Sequence, residues 1–250
     1  MQVSTLGIVG FWFLALAVLG ATVSLVAQGP VSDLVSSWSG SNIKQFSGAN
    51  DGYLINGATT APGKIGKGFH FDGVNDYVWV PPDPKLNVSA QVSIAFWMRG
   101  TPTNPLNDCC QGLVTTDFFG VSIASVPAGL VFFLHTTDGS WVHTSDTPGC
   151  PQCAGGVPLS SGEWHHVVGT YDATQLQLYV DGVAAGNPVP HTGTILPMPK
   201  GGFLSIGSED GRRTNDPNDR RYFQGDIDEV AIYKRPLAAD EVQSLFLKGL

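Results

Sequence analysis

Along most of the chain, apolar residues recur at every second position in short runs. Val92, Ile94, Phe96 and Met98 alternate with Ser93, Ala95 and Trp97, and Leu176, Leu178 and Val180 alternate with Gln177 and Tyr179. A period of two puts successive side chains on opposite faces of an extended strand, so one face of each run is marked for a core. Further short strand signals, without so clear an alternation, occupy Gly68–Asp72, Asp76–Val80, Leu113–Thr116, Gly120–Ser125, Leu130–His135, Trp141–Thr144, Trp164–Tyr171, Leu204–Gly207 and Ile227–Tyr233. Asn56-Gly57, Asp72-Gly73, Asp138-Gly139 and Asp181-Gly182 supply the residue types that tight hairpin turns need. Only near the C-terminus does the period lengthen. Leu237–Phe246 predicts a short helix, with Asp240 and Glu241 near its start and Val242, Leu245 and Phe246 along one side. The pattern predicts a mainly β, two-sheet antiparallel sandwich over residues 31–250.

The first thirty residues follow a different rule. Leu6 to Ala27 carries no charge and no proline. As a helix it would be about 33 Å long, enough to cross a bilayer. A cleaved signal peptide competes with an uncleaved transmembrane anchor. The n-region Met1–Thr5 has no basic side chain, and Ala15-Leu16-Ala17 lies inside the apolar run, so the anchor is the favoured reading. Gly10, Ala17, Gly20, Ala21 and Ser24 make a ridge of small residues that would let another membrane helix approach closely.

Composition narrows the alternatives. Gly (31) and Pro (17) are too frequent among 250 residues for long helices or coiled coils, and a 42% hydrophobic content argues against disorder. The net charge of −8 leaves no basic stripe for nucleic acid. No Lys or Arg occurs from Gly100 to Pro199, a stretch that holds seven acidic residues. The cysteines come as Cys109-Cys110 and Cys150-x-x-Cys153. Two disulfides joining these loops are the favoured reading, with a thiolate metal site as the alternative, and the pairing cannot be deduced from sequence. Cysteines and a glycine-rich sandwich suit an oxidising compartment, so the domain is expected on the extracytoplasmic side, periplasmic or extracellular.

The order of motifs is also informative. VSSWSGSN at Val35, GKIGKGFHFDGVNDYVWV at Gly63, VSIAFWMRG at Val92, EWHHVVGTYDATQLQLYVDGV at Glu163, LSIGSED at Leu204 and GDIDEVAIYKRPLAADEVQSLF at Gly225 together span nearly all of residues 35–247. In this order they resemble the laminin-G-like, concanavalin-A-like jelly-roll family. The resemblance implies two packed antiparallel sheets, and the Cys-bearing loops and Glu209–Arg221 depart from it as insertions. It also implies a structural calcium, with Asp228 and either Asp51 or Asp76 as ligands drawn from a reservoir that includes Asp72, Asn75 and Asp226. Calcium needs six to eight oxygen ligands. The Trp164-His165-His166 motif is read as structural, since adjacent strand residues face opposite sides.

Related enzymes place paired carboxylates on one strand. Here Asp226 and Asp228 share a face, but Gly225 stands near the place of the leading Glu. No catalytic set is therefore assigned, and hydrolysis of glycans is the least favoured function. Exposed rings that could take a sugar are Trp141, Phe118, Phe119 and Tyr222. Arg212, Arg213, Arg220 and Arg221 interleave with acids in loop Glu209–Arg221. They and Trp141 are the candidates for contacting a partner. The resulting expectation is a non-enzymatic, membrane-anchored recognition domain, an accessory subunit stabilising a complex of membrane proteins. A secreted or surface carbohydrate-binding module is the alternative.

Overall fold

The structure is a computed structural model. It describes residues 33–41, 50–100, 111–125, 128–144, 157–209 and 221–249. Among them run β1 (Leu34–Trp38), β2 (Tyr53–Ile55), β3 (Thr59–Pro62), β4 (Lys67–Asp72), β5 (Tyr77–Val80), β6 (Val92–Gly100), β7 (Gln111–Thr115) and β8 (Phe119–Ser125). The chain continues through β9 (Ala128–His135), β10 (Trp141–His143), β11 (His165–Tyr171), β12 (Gln175–Val180), β13 (Val183–Ala184), β14 (Val189–Pro190), β15 (Leu204–Ile206) and β16 (Gln224–Tyr233), and ends in α1 (Ala239–Lys248).

These strands form two antiparallel sheets. The larger runs β13-β12-β11-β6-β16-β4-β3, with β1 added on β16 and β14 on β12. The smaller runs β10-β9-β8-β7-β15-β5-β2. Their facing sides enclose one core. Val92, Ile94, Phe96 and Met98 of β6 meet it from the larger sheet with Val167, Leu176 and Ile227. Val121, Ile123, Leu130, Phe132 and Leu134 meet it from the smaller one. The alternation read from the sequence therefore does set the inward face.

The outward face of the larger sheet is also covered. Ser93, Ala95 and Trp97, the alternate residues of β6, are buried as well. Val242 and Leu245 of α1 pack with Ala95, Val168, Tyr233 and Leu237 into a second apolar cluster. Phe246 stacks on Trp97 at 5.7 Å. The helix begins two residues later than the apolar pattern predicts, because the Glu241 carboxylate accepts the Ala238 N–H at 2.9 Å and closes the first turn there. Gly249, at φ 75°, ends it in the left-handed conformation that favours glycine.

β1, β2, β3, β13 and β14 were not marked by the sequence pattern. They are short, and β2, β3 and β13 are largely exposed, so the two-residue period has little apolar contrast to reveal it. β16 hands over from β4 to β1 at a bulge. Gln224–Ile227 pair with β4, while Val230–Tyr233 pair with β1. Asp228 and Glu229 stand at the junction, where the pairing with β6 also shifts register.

Among the described residues, no helix is long and apolar enough to cross a membrane. The segment Leu6–Ala27, with its ridge of Gly10, Ala17, Gly20, Ala21 and Ser24, lies outside the described residues, as do Cys109, Cys110, Cys150 and Cys153.

Candidate functional site

The outward face of the smaller sheet presents a different surface. The β9–β10 hairpin turns through Thr136–Ser140, where Gly139 takes φ 85°. Asp138 organises that turn. Its Oδ1 accepts the Ser140 N–H at 3.0 Å and the Thr136 hydroxyl at 2.7 Å, and these bonds hold its pKa below the ordinary value. The register that results sets Trp141 opposite His135, and His143 opposite Phe133. All four point away from the core, because Val142 and Leu134 between them point in.

The rings form a stepped platform. Trp141 stacks on His135 at 4.2 Å with 19° between the planes. Phe118 meets the other side of His135 edge-on at 5.4 Å, and Phe133 lies 6.0 Å from Trp141. Trp141 remains 46% exposed, although its neighbour Phe133 is buried. A large indole held rigidly with one face open offers a flat apolar surface at little conformational cost. Phe118 reaches the platform through the turn before β8. The Thr116 Oγ1 accepts the N–H groups of Phe118 and Phe119, and the Phe118 carbonyl accepts the His135 N–H at 2.7 Å. Phe119 turns the other way, into the core. Tyr222 is also buried, 6.4 Å from Tyr77.

Opposite the platform stands the neck of the loop that begins at Glu209. Arg221 Nη1 lies 3.1 Å from Glu209 Oε2. The neck approaches β7 through the Gly112 N–H, which donates to the Arg221 carbonyl at 3.0 Å. A Cβ at Gly112 would overlap the Glu209 amide and the Ser208 carbonyl, so the close approach requires glycine. Between platform and neck runs a groove of about 270 Å³, lined by Thr116, Asp117, Phe118, Phe133, His135, Trp141, Glu209 and Arg221. Trp141 and Arg221, singled out separately in the sequence, are thus brought to the same groove. Arg212, Arg213 and Arg220 lie outside the described residues. His135 and Phe133 carried no sequence signal beyond their place in an apolar run.

A second groove, about 290 Å³, lies on the larger sheet against Pro236–Ala238, with Thr170, Gln177 and Tyr179 in its wall. Its one acid, Asp172, already accepts N–H groups from Thr174 and Gln175, and no stacked platform faces it. It is the larger space but the poorer recognition surface.

The acidic residues read as calcium ligands occupy separate places. Asp76 accepts the Gly57 N–H at 2.7 Å and the Asp72 N–H at 3.2 Å, tying the start of β5 to the turn after β2. Asp228, fully buried, accepts N–H groups from Ile65 at 3.0 Å and Glu229 at 2.9 Å, and bonds with the Lys64 and Gly40 amides as well. It fills the junction between β4 and β1 with backbone donors. Burial raises its pKa above the ordinary carboxylate value, and those bonds offset only part of the rise. Asp51 sits half-buried just before β2. Among the described residues, no three His, Cys, Asp or Glu side chains gather as a metal site would require.

Asp226 does share the outward face of β16 with Asp228. Its Oδ2 accepts from Arg99 Nε and Nη2 at 3.0 and 2.8 Å, and its Oδ1 meets His70 Nδ1 at 2.8 Å. Arg99 in turn lies over the Trp164 ring at 4.9 Å. Both oxygens of Asp226 are therefore engaged. In the Trp164-His165-His166 motif, His166 packs against Trp97 and Phe246, while His165 Nδ1 meets Asp181 Oδ2 at 2.8 Å. The two rings do face opposite sides.

Residues 72–243 match the protein family described as the concanavalin A-like lectin/glucanases superfamily. No curated protein matches the chain. Among solved structures, domain 4 of AbnA, an extracellular arabinanase from Geobacillus stearothermophilus in complex with arabinotriose, is similar with a TM-score of 0.60 at 18% identity. The alignment covers 85% of this chain and 98% of that one. The binding domain of Paraclostridial Mosquitocidal Protein 1 is similar with a TM-score of 0.61 at 20% identity, over 87% of this chain and 52% of that one. The binding domain of botulinum neurotoxin DC, in complex with SialylT, gives 0.60 at 15%, over 86% and 51%. The chain thus spans about half the length of the toxin binding domains, and at these identities the likeness is one of fold.

Proposed function

The chain belongs to the concanavalin A-like lectin/glucanases superfamily, and we propose that its jelly roll is a carbohydrate-binding module whose ligand lies in the groove beside Trp141. The observation that carries this reading is the indole itself, 46% exposed on a stack of buried and half-buried rings, with carboxylates and a guanidinium across the groove. The apolar face of a pyranose covers such a ring, while its hydroxyls need polar partners at the edge. The neighbours solved with arabinotriose and SialylT support the choice of ligand class. The role is binding without turnover, since Asp226 is held by His70 and Arg99 and Asp228 is enclosed by backbone donors. The segment Leu6–Ala27 would hold the module at the outer surface of a membrane.

A glycan array, run with the full chain in mild detergent and with and without calcium, tests the reading. At least one glycan class should bind, and Trp141→Ala should weaken it by about tenfold or more, as expected for a buried aromatic contact of roughly 1.5–3 kcal/mol. Because Trp141 is half-exposed, the same variant should melt within a degree or two of the wild type. An array empty in both conditions, or binding indifferent to Trp141, refutes the proposal. Binding that survives chelation removes calcium from the site.

A further inference from the structure

We propose that Ser160, His165 and Asp181 form a second site in which Ser160 Oγ is an activated nucleophile toward small, unhindered acyl esters. None of the three lines the groove beside Trp141. Their side chains stand in sequence. Ser160 Oγ lies 2.8 Å from His165 Nε2, and His165 Nδ1 lies 2.8 Å from Asp181 Oδ2. A carboxylate only accepts, so Nδ1 carries the ring proton and Nε2 presents its lone pair to the serine hydroxyl. A serine hydroxyl is a weak nucleophile until an adjacent base takes its proton, and the base needs a third group to hold its tautomer and orientation. The three residues fill these three roles.

The local fold brings them together. His165 opens β11 opposite Met98 of β6. In the turn over residues 161–163, the Gly162 N–H donates to the Gly100 carbonyl at 3.1 Å, and Gly162 takes φ 81°. Ser160 is thereby folded back alongside the ring five residues further on. Asp181 stands in the turn from β12 to β13. Its N–H donates to the His166 carbonyl at 2.8 Å, and its Oδ1 accepts the His166 N–H at 2.9 Å. Those two bonds hold the carboxylate against β11 and leave Oδ2 for His165. The His165 side chain is only 13% exposed, whereas Ser160 is exposed. Apart from its chain neighbours, nothing lies within 4 Å of where a side chain at Gly162 would begin. The base is shielded while the nucleophile stays open to a reagent. Glu163 Oε2, 3.1 Å from Ser160 Oγ, competes for the same proton.

In the reaction, Ser160 Oγ bonds to the ester carbonyl carbon and its proton passes to His165 Nε2. That proton leaves with the alcohol as the ester C–O bond breaks. Water, giving its proton to the same Nε2, then releases the carboxylic acid and restores the serine. The test uses the full chain in mild detergent, a fluorophosphonate probe (fluoride leaves as the Oγ–P bond forms) and p-nitrophenyl acetate. The native chain should be labelled at Ser160 in the peptide map and should hydrolyse the ester, and the guanidinium-unfolded chain should do neither. Ser160→Ala, at an exposed position, should keep the wild-type melting transition and lose both reactions. His165→Gln should slow both by about a hundredfold, the size of a general-base contribution. Asp181 is a positioning residue, and Asn tolerates its φ of 51°. Asp181→Asn should lower kcat for the ester at least tenfold and leave KM unchanged. Glu163→Gln should hold or raise the labelling rate. No label at Ser160, or a label that survives unfolding, overturns the proposal. Labelling that His165→Gln leaves unchanged reduces Ser160 to an exposed serine and overturns it too. A loss in Glu163→Gln as large as in His165→Gln overturns the assignment of the base. Glycan binding should be the same in Ser160→Ala as in the wild type, so this inference and the carbohydrate reading stand or fall separately.

Discussion

Glu229 sits in the β16 bulge with φ 49°, a conformation that costs a side-chain-bearing residue about 1 kcal/mol or more. It is half-buried, and the carboxylate of Asp228 is its chain neighbour. Burial, and then that negative charge, push its pKa from 4.5 up to about 7. The folded-state value therefore exceeds the unfolded one. Between about pH 4.5 and pH 7 the native state keeps a proton that the unfolded state has released, so stability falls as pH rises through that window and then levels. A shift of this size corresponds to about 3 kcal/mol, and the solvent that the half-buried side chain retains reduces it to about 2 kcal/mol. Glu229→Gln keeps the shape and removes the charge. It should match the wild type near pH 4.5 and exceed it by about 2 kcal/mol at pH 8. Guanidinium unfolding of both proteins at half-unit steps reads the difference directly. The carboxylates with lowered values, Asp138, Asp172 and Glu241, act below this window and leave the comparison clean. Two variants that differ by the same amount at every pH would refute the reasoning. The neighbouring change has the opposite sign. Asp228→Asn would set its amide N–H₂ against either the Ile65 or the Glu229 N–H donor and should cost about 1–3 kcal/mol.

Two further outcomes follow from close contacts. Gly112→Ala forces a methyl into the Glu209 amide and the Ser208 carbonyl, so it should lower stability by about 1–3 kcal/mol and, by displacing the neck, also weaken glycan binding, with thermal melts and array binding read together. At α1, Arg235 donates to both Glu241 oxygens at 2.6 and 2.7 Å and holds the Glu241 pKa below its ordinary value. That stabilisation is present above the unfolded pKa and is lost as pH falls through the folded one. Glu241→Gln should therefore cost about 0.5–1 kcal/mol at neutral pH, a difference that closes in acid when denaturant midpoints are compared.

The inward faces of β6 and β12 were legible from their two-residue alternation, β9 and β11 only as short apolar runs, and six motifs in order identified the family. The platform was only half legible. Trp141 stands out as a large ring beside a turn, but nothing in the chain says that His135 lies beneath it. That depends on hairpin register, set by five residues of turn chemistry around Asp138 and Gly139. Arg221 was visible as one of four arginines in a polar loop, whereas its pairing with Glu209 depends on Gly112 admitting the neck. The backbone partners of Asp76 and Asp228 depend likewise on which loop lies opposite each carboxylate.

The two outward faces divide their duties according to what covers them. On the larger sheet, α1 lies over Ala95, Val168 and Tyr233, and Lys64 and Phe246 close over Trp97, so every apolar ring there already has a partner. β6 is consequently buried on both sides and serves stability. On the smaller sheet, a row of three small residues runs across the strands between aromatics at its two ends. Phe133 faces Gly120, Gly120 faces Thr115, Thr115 faces Ser205, and Ser205 faces Trp79. The low centre of that row lets the neck of the Glu209 loop settle onto β7, through Thr115 Oγ1 donating to the Ser208 carbonyl and Gly112 donating to Arg221. The neck then supplies Glu209 and Arg221 to the groove, beside Asp117 from the turn before β8. The strands of the smaller sheet therefore carry the rings, and the charged residues that line the groove among those described, Asp117, Glu209 and Arg221, all come from connecting loops.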